Sequence, residues 1–260
     1  MTTSSFNNAS AMTHQNEVSG ASRDRYTRVA IGLHWAIAVF VIFNLSIGYF
    51  MGSWPMPIQQ LAKMLHFSAG LTVLALTLAR VVWRLLNAPP AYPAGMKPWE
   101  RHTAHFAHFL LYAAMVLMPL SGWAIVSSHA PPGSRAAAFE MAAYPPPGMP
   151  AARPGLPAAR PGMPAPPPGM PARGPGGRPA LKIWNLLPLP LIGPIEDIGA
   201  EPGGVPAQHK LNEEFIKWHS VGGWLLIGLL ILHVAGALKH QFLDRQSEFA
   251  RMGIGRGRKS

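Results

Sequence analysis

Four histidines stand within long apolar stretches of the sequence, and they are the residues best suited to chemistry: His34, His66, His219 and His233. An ionisable side chain at membrane depth is costly, so by default it marks a functional site. His219 and His233 are fourteen residues apart, which is about 3.9 turns and about 21 Å of an α-helix. They therefore share one face of a helix at two depths.

The depths of these histidines predict two haem sites. If successive helices run in opposite directions, His34 is level with His233, and His66 is level with His219. Haem iron takes one axial nitrogen on each side of the macrocycle, so two histidines on facing helices can hold it. The chain contains no cysteine, which excludes thioether attachment, disulfides and thiolate-bound metals. We therefore expect two non-covalent haem groups, each with two histidine ligands.

Three further side chains are candidates for the same site: Arg80, His105 and His108. Arg80 follows His66 by fourteen residues and so shares its helix face. It is expected to pair with haem propionates or a quinone headgroup, the alternative being that it snorkels to the interface. His105 and His108 are neighbours on one helix face. They are candidates to polarise a quinone, relay its protons or bind propionates, unless they only lie among the headgroups.

Other chemistries are less consistent with the pattern. His240 competes with His233 as a ligand, but its neighbour Lys239 indicates a position at the interface. A zinc site is the main chemical rival, and it needs three or four ligands at one depth, often with carboxylates. A metal-ion transporter that uses the histidines as transient ligands is a rival from another class. The apolar stretches contain no Asp or Glu, which also disfavours a carboxylate proton relay.

Four apolar stretches must position these side chains, at residues 29–51, 61–83, 103–128 and 218–238. A helix of about 20 residues crosses the roughly 30 Å hydrocarbon core of a membrane. Only 13% of residues are charged although the net charge is +11, so lipid is a better partner than nucleic acid. The sequence predicts an all-α integral membrane four-helix bundle with a long Pro/Gly-rich loop between helices 3 and 4; a soluble bundle is the disfavoured alternative.

The flanking sequences predict the organisation around these helices. Residues 1–25 are expected to be a disordered tail, 26–128 helices 1 to 3, 129–212 a periplasmic loop, 213–240 helix 4, and 241–260 a basic tail. Basic residues flank the ends that would face the cytoplasm, so both termini are expected there. A Pro/Gly heptapeptide repeat at 145–179 predicts an extended linker, either a docking segment or a tolerated expansion.

The sequence resembles a known family, the bacterial cytochromes b561. The resemblance is carried by RYTRVAIGLHW, HFSAG followed by LARVVWRL, AHFAHFLLY, MPLSGW, and WHS followed by LILHVAGALKHQF. These motifs occur in order on the four stretches, over residues 23–128 and 210–245. The repeat in the outer loop and the long polar N-terminus depart from the family pattern, which puts in doubt any inference about the outer docking surface.

The resemblance implies a multi-pass inner-membrane cytochrome with two non-covalent b haems, held by His34 with His233 and by His66 with His219. It also implies electron exchange with ubiquinone, and in one branch of the family superoxide is the donor. We therefore expect single-electron transfer between the quinone pool and a periplasmic donor or acceptor. A cytochrome b subunit of a larger dehydrogenase or hydrogenase is the related alternative, and Gly222 and Gly223 leave a homodimer open.

Overall fold

Four long helices make up most of the chain. The computed structural model describes residues 25–90, 96–131, 133–145, 181–244 and 248–254. The long helices are α1 (Arg28–Phe50), α2 (Met56–Leu86), α3 (Pro98–Ser127) and, later in the chain, α6 (Val205–Leu238). Each of these segments is long and apolar enough to cross a membrane. The predicted all-α membrane bundle is therefore confirmed.

Short elements fill the connection between α3 and α6 and follow α6. They are, in chain order, α4 (Arg135–Ala143), the strands β1 (Leu181–Ile183) and β2 (Leu187–Leu189), and α5 (Gly193–Glu196). The two strands form an antiparallel hairpin. After α6 the chain makes one π-helical turn (Lys239–Leu243), and α7 (Glu248–Arg251) completes the described elements.

An apolar cluster lies at the centre of the bundle. It contains Ile37 and Val41 of α1, Val73 of α2, Leu111 of α3 and Leu226 of α6. Large apolar side chains elsewhere on the same helices point outward; Leu85, for example, is 82% exposed. A soluble protein would bury such side chains, whereas hydrocarbon solvates them as well as a protein core does. The exposed apolar surface is thus what a membrane bundle requires.

Local sequence sets where the helices begin. The Thr27 hydroxyl accepts from the Ala30 N–H at 3.2 Å and caps α1. At the start of α3 the Glu100 carboxylate accepts from the Lys97 N–H at 3.1 Å. Proline occupies the first helical turn of α2, α3 and α6, where its missing N–H costs nothing.

The two ends of the bundle differ in charge and in covering. One end carries Arg28, Arg84, Lys97 and Lys239, and we call it the basic end. At the opposite end α1 and α3 finish and α2 and α6 begin, and we call it the loop end because α4, the hairpin and α5 lie there.

The connecting segment is tied to the loop end by hydrogen bonds from α3 and α6. The Ser127 hydroxyl accepts from the Ile192 N–H at 3.0 Å, and the Asn212 amide donates to the Ser128 hydroxyl at 2.8 Å. The Glu140 carboxylate on α4 accepts from His129 Nδ1 at 2.8 Å. These contacts fix the described part of the connection directly over the bundle.

The structure extends the sequence-based picture at two places. The fourth helix begins at Val205, well before the apolar stretch that starts at residue 218. The residues between these two points include Gln, Lys, Leu and Glu, which are good helix formers. The chain after α7 returns to the basic end of α1, where Trp35 Nε1 donates to the Met252 carbonyl at 3.0 Å. Except for one residue each, the predicted N-terminal tail and the Pro/Gly repeat lie outside the described residues.

Candidate functional site

The histidine pair nearer the loop end joins α2 to α6. The rings of His66 and His219 have their centres 6.0 Å apart and their planes at 78°. Both side chains are half-buried between the helices. The structure therefore brings together the two histidines that depth alone had paired.

Hydrogen bonds fix the orientation of both rings in this pair. His66 Nδ1 donates to the Asn44 carbonyl at 3.0 Å, because a carbonyl oxygen can only accept. The Ser121 hydroxyl donates to the Met118 carbonyl at 2.8 Å and lies 2.8 Å from His219 Nδ1. With its own proton so used, the hydroxyl accepts from that nitrogen. Both rings thus carry the proton on Nδ1, which leaves Nε2 to bind a metal.

Two glycines make room for the same rings. A Cβ added to Gly48 on α1 would lie 2.8 Å from His66 Cε1, and one added to Gly122 on α3 would lie 3.3 Å from His219 Cε1. The first distance is shorter than any ordinary carbon–carbon contact. α1 and α3 therefore approach the histidines as closely as they do because these positions lack a side chain.

The second pair lies toward the basic end and joins α1 to α6. The rings of His34 and His233 have their centres 6.2 Å apart and their planes at 69°. A third ring, that of His108 on α3, is 5.2 Å from that of His233, and its Nδ1 donates to the Ala104 carbonyl at 2.6 Å. The depth argument did not foresee this contact. His105, one turn earlier on α3, is exposed.

Arg80 crosses the bundle beside this second pair. Its Nε donates to the Tyr112 hydroxyl of α3 at 2.9 Å, and its Nη1 donates to the Ala30 carbonyl of α1 at 2.8 Å. Arg80 thus links α2 to α3 and to the first turn of α1. Its pairing with a propionate or a quinone headgroup stays a prediction.

His240 belongs to an ion cluster at the basic end. Its Nδ1 is 2.7 Å from the Asp244 carboxylate, and Lys239 bridges Asp244 at 2.8 Å and Glu100 at 2.7 Å. The hydrogen bond from Lys239, assisted by that from His240, holds the pKa of Asp244 below its ordinary value. This setting agrees with the interfacial position that the sequence indicates for His240.

The spacing of each histidine pair fits one haem iron. Metal–imidazole bonds are about 2.0–2.1 Å long, and a nitrogen lies about 1.1 Å from the centre of a five-membered ring with bonds of about 1.3–1.4 Å. Two imidazoles on opposite sides of one iron therefore have centres about 6.3 Å apart. The separations of 6.0 and 6.2 Å match this value.

A site with more protein ligands has no such support. Within the described ranges, His, Asp and Glu side chains form no group of three or more arranged to hold one metal ion. A zinc site normally has three or four protein ligands. The geometry therefore favours paired ligation over the cluster that a zinc site requires.

The family model for prokaryotic cytochrome b561 matches residues 25–255, a region that contains both histidine pairs. The chain belongs to this family. Cytochromes b561 are membrane haem proteins, so the predicted class of cofactor, haem, is confirmed at that level. The ligand assignments stay predictions.

Several curated proteins are similar to this chain over part of their length. It is 30% identical over 102 residues to "Probable superoxide oxidase CybB" of Yersinia pestis, covering 39% of this chain and 58% of the relative. It is 36% identical over 103 residues to "Cytochrome b562" of Cereibacter sphaeroides, covering 37% and 63%. It is 27% identical over 115 residues to "Cytochrome b561 homolog 2" of Escherichia coli, covering 42% and 59%. The chain thus spans about three fifths of these relatives.

Sequence reasoning missed the groups that hold the histidines and Arg80 in this cytochrome b561. Asn44, Ser121 and Tyr112 lie far from their partners along the chain. Gly48 had a weak signal, since the short turn between α1 and α2 places it near the level of His66. Gly222 was seen as a packing position; the Met118 sulfur occupies the space beside it, so it packs within the chain.

Proposed function

We propose that the protein transfers single electrons across the membrane by means of two haem b groups. His34 and His233 would hold one group near the basic end, and His66 and His219 would hold the other near the loop end. The single observation that carries the proposal is that both pairs have the spacing of axial ligands. When bound, each haem supplies reversible one-electron iron chemistry.

The protein itself contributes ligation, orientation and an apolar surrounding. The Nδ1 hydrogen bonds of His66 and His219 fix each ring and raise the basicity of Nε2. Two neutral histidine ligands on each haem would leave no position for oxygen to bind, which would suit electron transfer. His219 and His233 are about 21 Å apart along α6, so one proposed haem site would lie in each half of the membrane.

The basic end is proposed to face the cytoplasm of a bacterium, with the protein in its inner membrane. The positive-inside rule supports this orientation, since Arg28, Arg84, Lys97 and Lys239 flank helix ends there. The loop end also carries basic residues, Lys63 and Lys182 among them. The latter lies in the long connection, which weighs little in that rule.

A quinone is the proposed partner at the basic end. Arg80 and His108 lie beside the His34–His233 pair, where the guanidinium is placed to attract an anionic headgroup and the imidazole to exchange a proton. His105, exposed one turn away, extends the proposed proton path to the interface. The partner at the loop end is a periplasmic donor or acceptor. Superoxide is one candidate, because one relative is named a probable superoxide oxidase.

Difference spectra of single variants test the assignment. Dithionite-reduced protein should show a b-type band, and His66→Ala or His219→Ala should remove the loop-end haem while retaining the basic-end one. His34→Ala and His233→Ala should do the reverse. His240→Ala is the matched control and should retain both haems, because its imidazole is bound to Asp244. The assignment is refuted if no preparation shows a b-type band, or if only the control variant loses haem.

A redox titration with alternative donors tests the partners. Ubiquinol and superoxide are added in turn to oxidised protein in liposomes, and the reduction of each component is followed in the visible spectrum. Reduction by ubiquinol that slows in Arg80→Ala supports a quinone site at the basic end. Ubiquinol reduction that is unaffected by that substitution overturns it.

A further inference from the structure

The hairpin of the connecting segment makes an unusual turn. We call residues 181–189 the Trp184 hairpin. The Leu186 N–H donates to the Ile183 carbonyl at 3.0 Å, and the two residues between them, Trp184 and Asn185, have φ of 53° and 59°. This left-handed geometry is what a tight hairpin turn needs, but a bulky side chain adopts it only at a cost. Other contacts of Trp184 must offset that cost.

Those contacts are made with the outward face of α2. The Trp184 N–H donates to the Ser68 hydroxyl at 2.8 Å, and the indole Nε1 donates to the Thr72 hydroxyl at 3.0 Å. The indole also packs edge-on against Phe40 of α1, with ring centres 6.3 Å apart. Trp184 is therefore seated over the groove between two membrane helices.

The burial of α2 changes along its length. Five of the six residues from Ser68 to Val73 are buried; Val73 among them packs in the bundle core, whereas Ser68 is bonded to the hairpin and is 0% exposed. Nearer the basic end the same helix is open, and Leu78 is 51% exposed. The hairpin thus replaces lipid on one part of α2 only.

The depth of this contact follows from the helix rise. Ser68 and Thr72 precede Arg84, which marks the basic end of α2, by sixteen and twelve residues. These separations correspond to about 24 Å and about 18 Å. In a hydrocarbon layer about 30 Å thick, Trp184 then lies about 6–12 Å below the opposite boundary. Interfacial elements insert about 5–10 Å below the headgroups.

The hairpin pairs part of its backbone and presents apolar side chains. A backbone N–H without a partner is costly in lipid, and Ser68 provides that partner for Trp184 while the paired strands bond to each other. On the outer side Leu186 is 79% and Leu187 is 65% exposed. The surface that two leucine side chains expose is far smaller than the roughly 800 Å² per partner that a stable protein interface buries. The helix surface around them faces lipid.

We propose that the Trp184 hairpin is a lipid-inserted anchor, which holds the long connection on α2 and buries Leu186 and Leu187 in the leaflet at the loop end. Lys182, on the first strand, is exposed, and its long side chain would place its ammonium group among the headgroups. The molecule that covers Leu186 and Leu187 is phospholipid. The anchor does not depend on which residues ligate haem, so the two proposals fail or succeed separately.

A single fluorescent label tests the proposal. The natural chain contains no cysteine, so Leu186→Cys can be labelled alone with an environment-sensitive dye and placed in liposomes. Quenchers are iodide in the water and doxyl groups on lipid acyl chains. The matched control is Glu213→Cys, at an exposed position on the loop-end part of α6. We expect loss of iodide quenching and strong doxyl quenching at 186, and the reverse at 213.

The outcomes separate lipid from the other occupants. Iodide quenching at 186 as strong as at 213 shows that the hairpin faces water, and it overturns the proposal. A label shielded from both quenchers shows a protein partner or a second copy of the chain, and it also overturns the proposal. Thr72→Val removes the indole hydrogen bond, together with the one that Thr72 donates to the Ser68 carbonyl within α2, and it should raise iodide quenching at 186. No change would refute the docking step.

Discussion

Removing the Ser121 hydroxyl is the sharpest test of how the protein tunes its loop-end site. That hydroxyl accepts from His219 Nδ1 at 2.8 Å, which makes the ring a better donor to iron and favours the oxidised state. Ser121→Ala should therefore raise the midpoint potential of the loop-end haem. If the whole net value of one hydrogen bond, about 0.5–1.5 kcal/mol, distinguishes the redox states, the shift is about 20–60 mV for one electron.

The assay is a spectroelectrochemical titration of the reduced b-type band. His34→Ala, which is expected to lack the basic-end haem, identifies which titration component belongs to the loop end. Ser121→Thr retains a hydroxyl and should restore the original potential. Ser46→Ala is the control, because the Ser46 hydroxyl donates only within α1, to the Ile42 carbonyl.

Two results would refute this reasoning. A shift of the basic-end component would show that Ser121 acts on the wrong site. A potential that is unchanged in Ser121→Ala, with both haems retained, would show that the hydrogen bond does not distinguish the oxidised from the reduced state.

Three further substitutions have expected outcomes. Gly48→Ala places a methyl group 2.8 Å from the His66 ring, which should cost about 1–3 kcal/mol and reduce loop-end haem content in the spectrum; Gly32→Ala, in open space on the same helix, should not. Arg80→Ala removes the bonds to Tyr112 and α1 and should lower the thermal stability of the protein in detergent, whereas Tyr112→Phe, which removes one bond, should lower it less. The pKa of Asp244 is lower in the folded protein than the ordinary aspartate pKa of about 3.9. The ionised carboxylate therefore stabilises the folded state above that ordinary pKa, and this stabilisation is lost as the pH falls through the lower pKa of the folded protein. Asp244→Asn should therefore reduce the loss of stability on acidification, measured by thermal unfolding between neutral pH and pH about 3; an unchanged acid loss would contradict this.

The helices and the levels of the histidines were predictable because both depend on local quantities. Apolar length determines which segments cross a membrane, and a fixed rise per residue places His219 and His233 at two depths. The polar start of α6 was missed, since hydropathy does not register helix formers outside the membrane. The sequence also paired Arg80 with the level of the second site, but it did not distinguish an internal position from a snorkelling one.

The lateral arrangement was decided by tertiary packing alone. Which helix faces which, and how each is rotated, depends on side chains that meet from distant parts of the chain. Ser121 reaches His219 across 98 residues, and Trp184 reaches Ser68 across 116. His108 joins the basic-end pair only because α3 packs beside α6. The sequence by itself determined four spans and four histidines at the right depths; the packing of the helices decided what orients those histidines and what covers α2.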